Sequence, residues 1–154
     1  YLFLTGDERP YPKVKRTEVE RLIGVTLQED IPTEVILAEA QEKFEVFWIM
    51  PSGTSHWNDS NVVDPLKKLF GQNFLRLENP DDIVELIFTT IGVTEGFDLK
   101  AVGDALVDIG ADKAAVARAS KSLVPYANSK AVATVGKVSG SLAKGSKVAS
   151  ATRL

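Results

Sequence analysis

The sequence predicts an α/β fold: part of a doubly wound, Rossmann-like parallel sheet with helices on both faces, followed by a helical and then flexible, basic C-terminal tail. Three observations lead there. Short runs of aromatic and branched residues alternate with helix-period segments over residues 1–96. The loops between them are short. All 21 acidic residues of the 154 lie at or before Asp112, and eight cations with no acid follow it. Residues 1–112 set ten cations against those acids, a balance of −11, while residues 113–154 carry +8.

Three apolar runs, "YLFLT" (1–5), "FEVFWIM" (44–50) and "NFLRL" (73–77), are bounded by Gly, Pro or Asn and read as strands buried on both faces. Helical patterns fill the gaps. "RTEVERLIG" places Val19, Leu22 and Ile23 on one face and stops at Gly24. "PTEVILAEAQEKF" starts at Pro32 and Thr33 and turns Val35, Ile36, Ala38 and Ala40 inward. "DPLKKLFG" offers Asp64 as N-cap, Pro65 at the first helical position and Gly71 as the stop. In "NPDDIVELIFTTIG", Asn79 caps, Pro80 follows, and Asp81 and Asp82 suit the positive end of the helix dipole.

Strand, helix, strand, helix with short loops gives right-handed crossovers and parallel pairing. Three strands are fewer than the five or six of a typical sheet. The N-terminal half of the domain is therefore expected to lie outside this chain, making residues 1–96 the C-terminal half of an α/β domain with an unpaired edge. Residues 97–124 form an amphipathic helical segment, with Leu99, Val102, Leu106 and Ile109 lining one side of its first helix. Residues 125–154 thin to Ala, Ser, Gly, Val and Lys. Two readings of that tail stand: a flexible or conditionally ordered segment, or a basic arm docking on an acidic surface.

Composition removes several classes of function. Hydrophobic content of 44% and charged content of 25% are those of a globular protein. Without cysteine there is no disulfide scaffold and no thiolate metal site, which suits a cytoplasmic protein. No apolar run approaches the roughly 20 residues of a membrane span. The phosphate-binding G-x-x-x-x-G-K-[ST], the dinucleotide G-x-G-x-x-G and the zinc-protease H-E-x-x-H are all absent. The tail lacks the interleaved aromatics or arginine cluster of a nucleic-acid binder.

Ligands of a parallel sheet bind beyond the carboxyl ends of its strands. Those ends carry "GDERPYPK" (6–13), "PSGTSHWNDSN" (51–61) and "ENPDD" (78–82). Asp7, presented by Gly6 at the rim, is the candidate metal ligand, since Mg²⁺ and its like take carboxylate oxygens. Glu8, Arg9, Tyr11, Ser55, His56, Trp57 and Asp59 are the candidate partner contacts on the same rim. His56 is the sole histidine, and Trp57 would be a binding anchor if exposed.

Over residues 1–96, the "GDE" turn with its Pro-Tyr, the strand "VFWIMP" and "LFGQNFLRLENPDDIVELIFTTIG" together resemble the C-terminal half of a von Willebrand factor A-like domain, closest to the prokaryotic intracellular type. The resemblance implies a non-enzymatic protein-interaction module with a metal-ion-dependent adhesion site for Mg²⁺ or Mn²⁺, which bridges to an acidic side chain of the partner. It further implies work beside an AAA-type ATPase in the cytoplasm. Asp7 takes the place of the aspartate after the family's fourth strand, and Glu8 that of the acid following it. The family's Asp-x-Ser-x-Ser motif is not in this sequence, so this chain alone is expected to hold the ion poorly. Tight ion binding would point to a different set that includes Asp59 and His56. Two alternatives carry other functions: a fragment of a doubly wound hydrolase or nucleotide-binding enzyme, or a structural protein that self-associates through its sheet edge or C-terminal helices.

Overall fold

The computed structural model describes residues 1–145, with side chains through Ala131. Its centre is a three-stranded parallel sheet. The first strand, β1 (Leu2–Thr5), leads into an excursion made of β2 (Lys13–Val14), the helix α1 (Arg16–Ile23) and β3 (Ile31–Pro32). Helix α2 (Thr33–Gln41) returns the chain to β4 (Val46–Pro51). Helix α3 (Ser60–Phe70) and a 3₁₀ turn lead to β5 (Phe74–Leu77). A second 3₁₀ turn then opens into α4 (Ile83–Thr94), α5 (Leu99–Asp108) and α6 (Lys113–Gly145).

The sheet order is β1-β4-β5, all parallel, with Leu2 opposite Val46 and Trp48 opposite Phe74. β2 and β3 form a separate antiparallel pair of two residues each. The predicted α/β class, with helices on both faces of a parallel sheet, is what forms. Successive side chains of β4 alternate between two cores. Phe47 and Ile49 join Leu75, Leu77, Leu86, Leu123 and Tyr126 on the face covered by α4 and α6. Val46 and Met50 join Leu37, Val62, Val63, Leu66 and Phe70 on the face covered by α2 and α3.

Several local expectations are corrected. The central strand is not buried along its whole predicted length: Phe44 and Glu45 precede the paired register and are exposed, and Trp48 is half-buried. β1 is an edge strand with partly buried residues, because among the described residues it pairs on one side only. The inward face of α2 is Thr33, Ile36, Leu37 and Ala40, while Val35 and Ala38 point outward. That set follows the i, i+3, i+4, i+7 spacing of a helix lying on a sheet. Helix α3 begins before Asp64. Asp59 caps it by accepting from the Asn61 amide at 2.9 Å, and Pro65 sits inside, tolerated at the loss of one ladder bond. Asn79 caps the 3₁₀ turn Pro80–Asp82 rather than α4 itself. In α1 no residue is buried, and Leu22 and Ile23 are 72% and 71% exposed.

The largest departure concerns the C-terminal part. α6 passes through Pro125 without ending and runs to Gly145, so no boundary falls at 125. It packs on α4, α5 and β5, with Ala115, Val116, Ala119, Leu123 and Tyr126 buried. The Tyr126 ring stands edge-on to Phe47 with centroids 5.5 Å apart, and its hydroxyl shares a 2.7 Å hydrogen bond with Thr94. In α5, Leu99, Val102 and Leu106 turn inward with Gly103 and Val107, but Ile109 is 82% exposed where Gly110 ends the helix. Residues 146–154 of the expected flexible tail lie outside the described residues.

Candidate functional site

The carboxyl ends of β1 and β4 bring two loops together. Gly6 continues the β1 ladder by donating its amide to the Ile49 carbonyl at 3.1 Å, and its own carbonyl accepts from the Trp48 indole at 3.0 Å. A Cβ at Gly6 would sit 3.2 Å from the indole ring, so any larger residue would press the ring outward by a few tenths of an ångström. Trp48 is therefore a clamp on the turn, and the turn aims Asp7 across the rim toward the loop after β4.

That loop is held at both ends. The Ser52 amide donates to the Leu77 carbonyl at 2.8 Å, and the Ser52 hydroxyl donates to the Glu78 carbonyl. The Thr54 hydroxyl donates to the Pro51 carbonyl at 3.0 Å, and Gly53 turns the chain at φ 78°. Asp59 closes the loop by capping α3. Between these fixed points the His56 amide lies 3.3 Å from Asp7 Oδ2 and donates to it.

The His56 ring faces the acids. Its Nδ1 is 3.5 Å from Asp7 Oδ2 and 3.9 Å from Glu8 Oε1. This nitrogen is shut off from solvent and has no hydrogen-bond partner. One donor atom from each of Asp7, Glu8 and His56 lies within 4.8 Å of the others, a grouping able to hold a cation. The donor set departs from the oxygen-only shell that the family resemblance implies. Its third donor is an imidazole nitrogen, while the Ser52 and Thr54 hydroxyls donate to backbone carbonyls of their own loop and the next.

The remaining candidates divide differently. Ser55 is exposed beside His56. Asp59 is occupied at the start of α3 and stands outside the group. Trp57 is not a free anchor: it is half-buried against the core of α2 and α3. The Arg76 guanidinium lies 3.5 Å above its ring and donates to its carbonyl at 2.8 Å and to Asn58 Oδ1 at 3.3 Å. Arg9 and Tyr11 instead line an open cleft of about 1020 Å³ between the excursion and helices α2 and α3, with Glu34, Leu37, Asp64 and Lys68 opposite.

Arg76 is the residue that sequence reasoning passed over. It sits on β5 and makes no ion pair among the described residues, and burial lowers its pKa from the ordinary guanidinium value. A lone arginine in the apolar run "NFLRL" was the available signal. Its stack on Trp57 fixes the loop that carries His56. Comparison with protein-family models, curated proteins and solved structures found no match.

Proposed function

We propose that this chain is a non-enzymatic interaction module of von Willebrand factor A type, which binds a partner's carboxylate through a divalent cation at the carboxyl edge of its sheet. The observation that carries this reading is the convergence of Asp7, Glu8 and His56 from two loops that both leave apolar parallel strands. Three protein donors leave coordination positions open for a partner's oxygen. The family resemblance adds an AAA-type ATPase as the kind of partner and the cytoplasm as the place. No described helix is long and apolar enough to cross a membrane.

Mn²⁺ provides a direct test through the electron paramagnetic resonance signal of the free ion. Titration is expected to show saturable binding at one site that Asp7→Ala removes, and added glutarate is expected to alter the spectrum of the bound ion. Binding that survives Asp7→Ala, or a bound ion indifferent to carboxylate, would overturn the reading.

One feature favours self-association as a second activity. The amides of Leu2 and Gly6 face β4, so those of Phe3 and Thr5 point away from the sheet. Val84 and Phe88 are exposed on α4, on the helical stripe that continues through Ile91 to Glu95. Glu95 accepts a hydrogen bond from the Tyr1 hydroxyl, which brings that stripe to the start of β1. An apolar edge with unpaired amides invites another strand. Thr5→Pro removes one outward amide without touching the β1–β4 ladder, and it should abolish any concentration-dependent sedimentation. Association unchanged by Thr5→Pro would exclude the edge.

A further inference from the structure

The donor set at the rim also bears on which ion belongs there. We propose, building on the reading of this rim as a cation site, that it is made for a borderline transition ion of the Zn²⁺ class and not for Mg²⁺, with His56 Nδ1 as the selecting ligand. Mg²⁺ demands hard oxygen ligands and an octahedral shell, whereas imidazole nitrogen suits Zn²⁺ and its neighbours. The geometry at His56 has the features of a ligand. The ring is 35% exposed, but its Nδ1 is inaccessible to solvent and makes no hydrogen bond, and two carboxylates stand beside it at ion-pair distance. A buried polar nitrogen left without a partner is costly, and a metal ion placed between it and the acids removes that cost.

The spacing fits. Around tetrahedral Zn²⁺ with bonds of about 2.0–2.2 Å, adjacent donors sit about 3.3–3.6 Å apart. Nδ1 and Asp7 Oδ2 are already at 3.5 Å. Glu8 Oε1 is at 3.9 Å from Nδ1, on a side chain that is 82% exposed and free to swing in. Asp7 and the loop are fixed in place. The carboxylate is held by the His56 amide, and the loop is pinned by Ser52, Asp59 and the Arg76–Trp57 stack. Two carboxylates and a neutral imidazole carry a charge of −2, which a divalent ion cancels. The fourth position of the shell is then the one left to a partner's carboxylate.

His56 is the only histidine, so its ring nitrogens report the site without assignment ambiguity. Isothermal titration of the whole chain with Zn²⁺ and with Mg²⁺ is expected to show Zn²⁺ binding at least about a hundredfold tighter, as imidazole ligation predicts. Zn²⁺ should shift the ¹⁵N resonance of His56 Nδ1 far more than that of Nε2. His56→Gln is expected to cut Zn²⁺ affinity at least about tenfold and to leave Mg²⁺ affinity where it was. Circular dichroism and the melting temperature of His56→Gln and Asp7→Asn should match the wild type, since both side chains serve the rim. If Mg²⁺ binds as well as Zn²⁺ and His56→Gln changes neither, the ion class is wrong while the cation site stands. If neither ion binds, the site itself falls. Zn²⁺ binding that survives both substitutions would place the metal elsewhere and overturn the proposal.

Discussion

α1 and α6 both show apolar residues at helical spacing, yet α1 buries none of its residues, whereas α6 buries Ala115, Val116, Ala119, Leu123 and Tyr126. By one-sided patterning alone the ranking would be reversed, because α1 gathers Val19, Leu22 and Ile23 on one face while α6 spreads its apolar residues more evenly. The difference lies in what each helix meets. α6 runs along α4, with Ala119, Leu123 and Tyr126 in the core they share and two polar pairs tying the helix to α4 and the turn before it. Arg118 donates to both oxygens of the buried Asp82, at 2.6 and 2.8 Å, and the Tyr126 hydroxyl meets Thr94. α1 has Val19 partly buried and is held at its start by a surface polar contact, Asp30 accepting from the Arg16 amide at 3.0 Å while pairing with Lys13 of β2 at 2.7 Å. Periodicity therefore tells that a helix forms, and complementary partners decide where it is buried.

Tyr126 offers the strongest way to break this contrast. Tyr126→Ala opens a cavity beside Phe47 and removes the Tyr126–Thr94 hydrogen bond, leaving Thr94 bonded to the Thr90 carbonyl alone, with an expected loss of about 3–5 kcal/mol. Tyr126→Phe keeps the ring and loses the hydrogen bond, for about 1 kcal/mol. Thermal and urea melts measure both. A melt unmoved by Tyr126→Ala would mean that α6 is not part of the core, and the contrast with α1 would vanish.

Gly92 sharpens the same point at the α4–α5 contact. A Cβ there would stand 2.7 Å from Val102 Cγ2 and 2.9 Å from Cγ1, closer than packed atoms allow. Gly92→Ala should cost about 1–3 kcal/mol through forced separation of the helices. Val102→Ala in the same chain should return part of that loss, since it removes the colliding methyls. Additive destabilisation by the two changes would show that the close approach is not what matters.

The Asp82–Arg118 pair predicts a pH dependence. Its hydrogen bonds from Arg118 hold the Asp82 carboxyl below the ordinary carboxylate range. With an unfolded-state value of about 3.9, the stabilisation is fully present above that pH and is lost as pH falls through the lower folded value. Arg118→Gln should therefore lower the melting temperature at pH 7 by less than either core change. The gap between variant and wild type should close in the acid range below pH 4. A gap that stays constant down to pH 2 would show that the charge pair is not the source.

Much of the fold was legible because its signals were local. The three strands stood out by branched and aromatic content between Gly, Pro and Asn, and their parallel pairing followed from the helices between them. Helix starts were less so: Asp59 and Asp64 are both good caps, and Pro65 at the first helical position favoured the wrong one. The first half of α6 was legible as an amphipathic helix, with Ala115, Ala119 and Leu123 at helical spacing, but Pro125 and the Ala, Ser, Gly and Lys composition after it suggested a tail where the helix continues and buries Tyr126. At the rim, the placement of Asp7 and His56 on one edge followed from strand direction. The turning of Nδ1 toward the acids did not, since it depends on a loop held by Ser52, Asp59 and Arg76. Asp82 looked like a dipole-facing surface acid; its real partner lies 36 residues away.

The smallest effect is expected in α1, and it tests the other half of the comparison. Leu22 and Ile23 project into solvent and Val25 is half exposed, so Leu22→Ser and Ile23→Ser should each change stability by no more than about 0.5 kcal/mol. The helix should persist as well, because its termini are fixed by the Gly24 turn and by the Arg16–Asp30 contact, and neither uses an apolar side chain. Amide exchange of α1 should be faster than that of α6 in the wild type and unchanged in either variant, since an element that buries nothing opens without the core. A loss on the scale of Tyr126→Ala would require α1 to be packed against something in solution. The excursion would then be a covered surface, and its exposed stripe would have to be ranked with the core of α6.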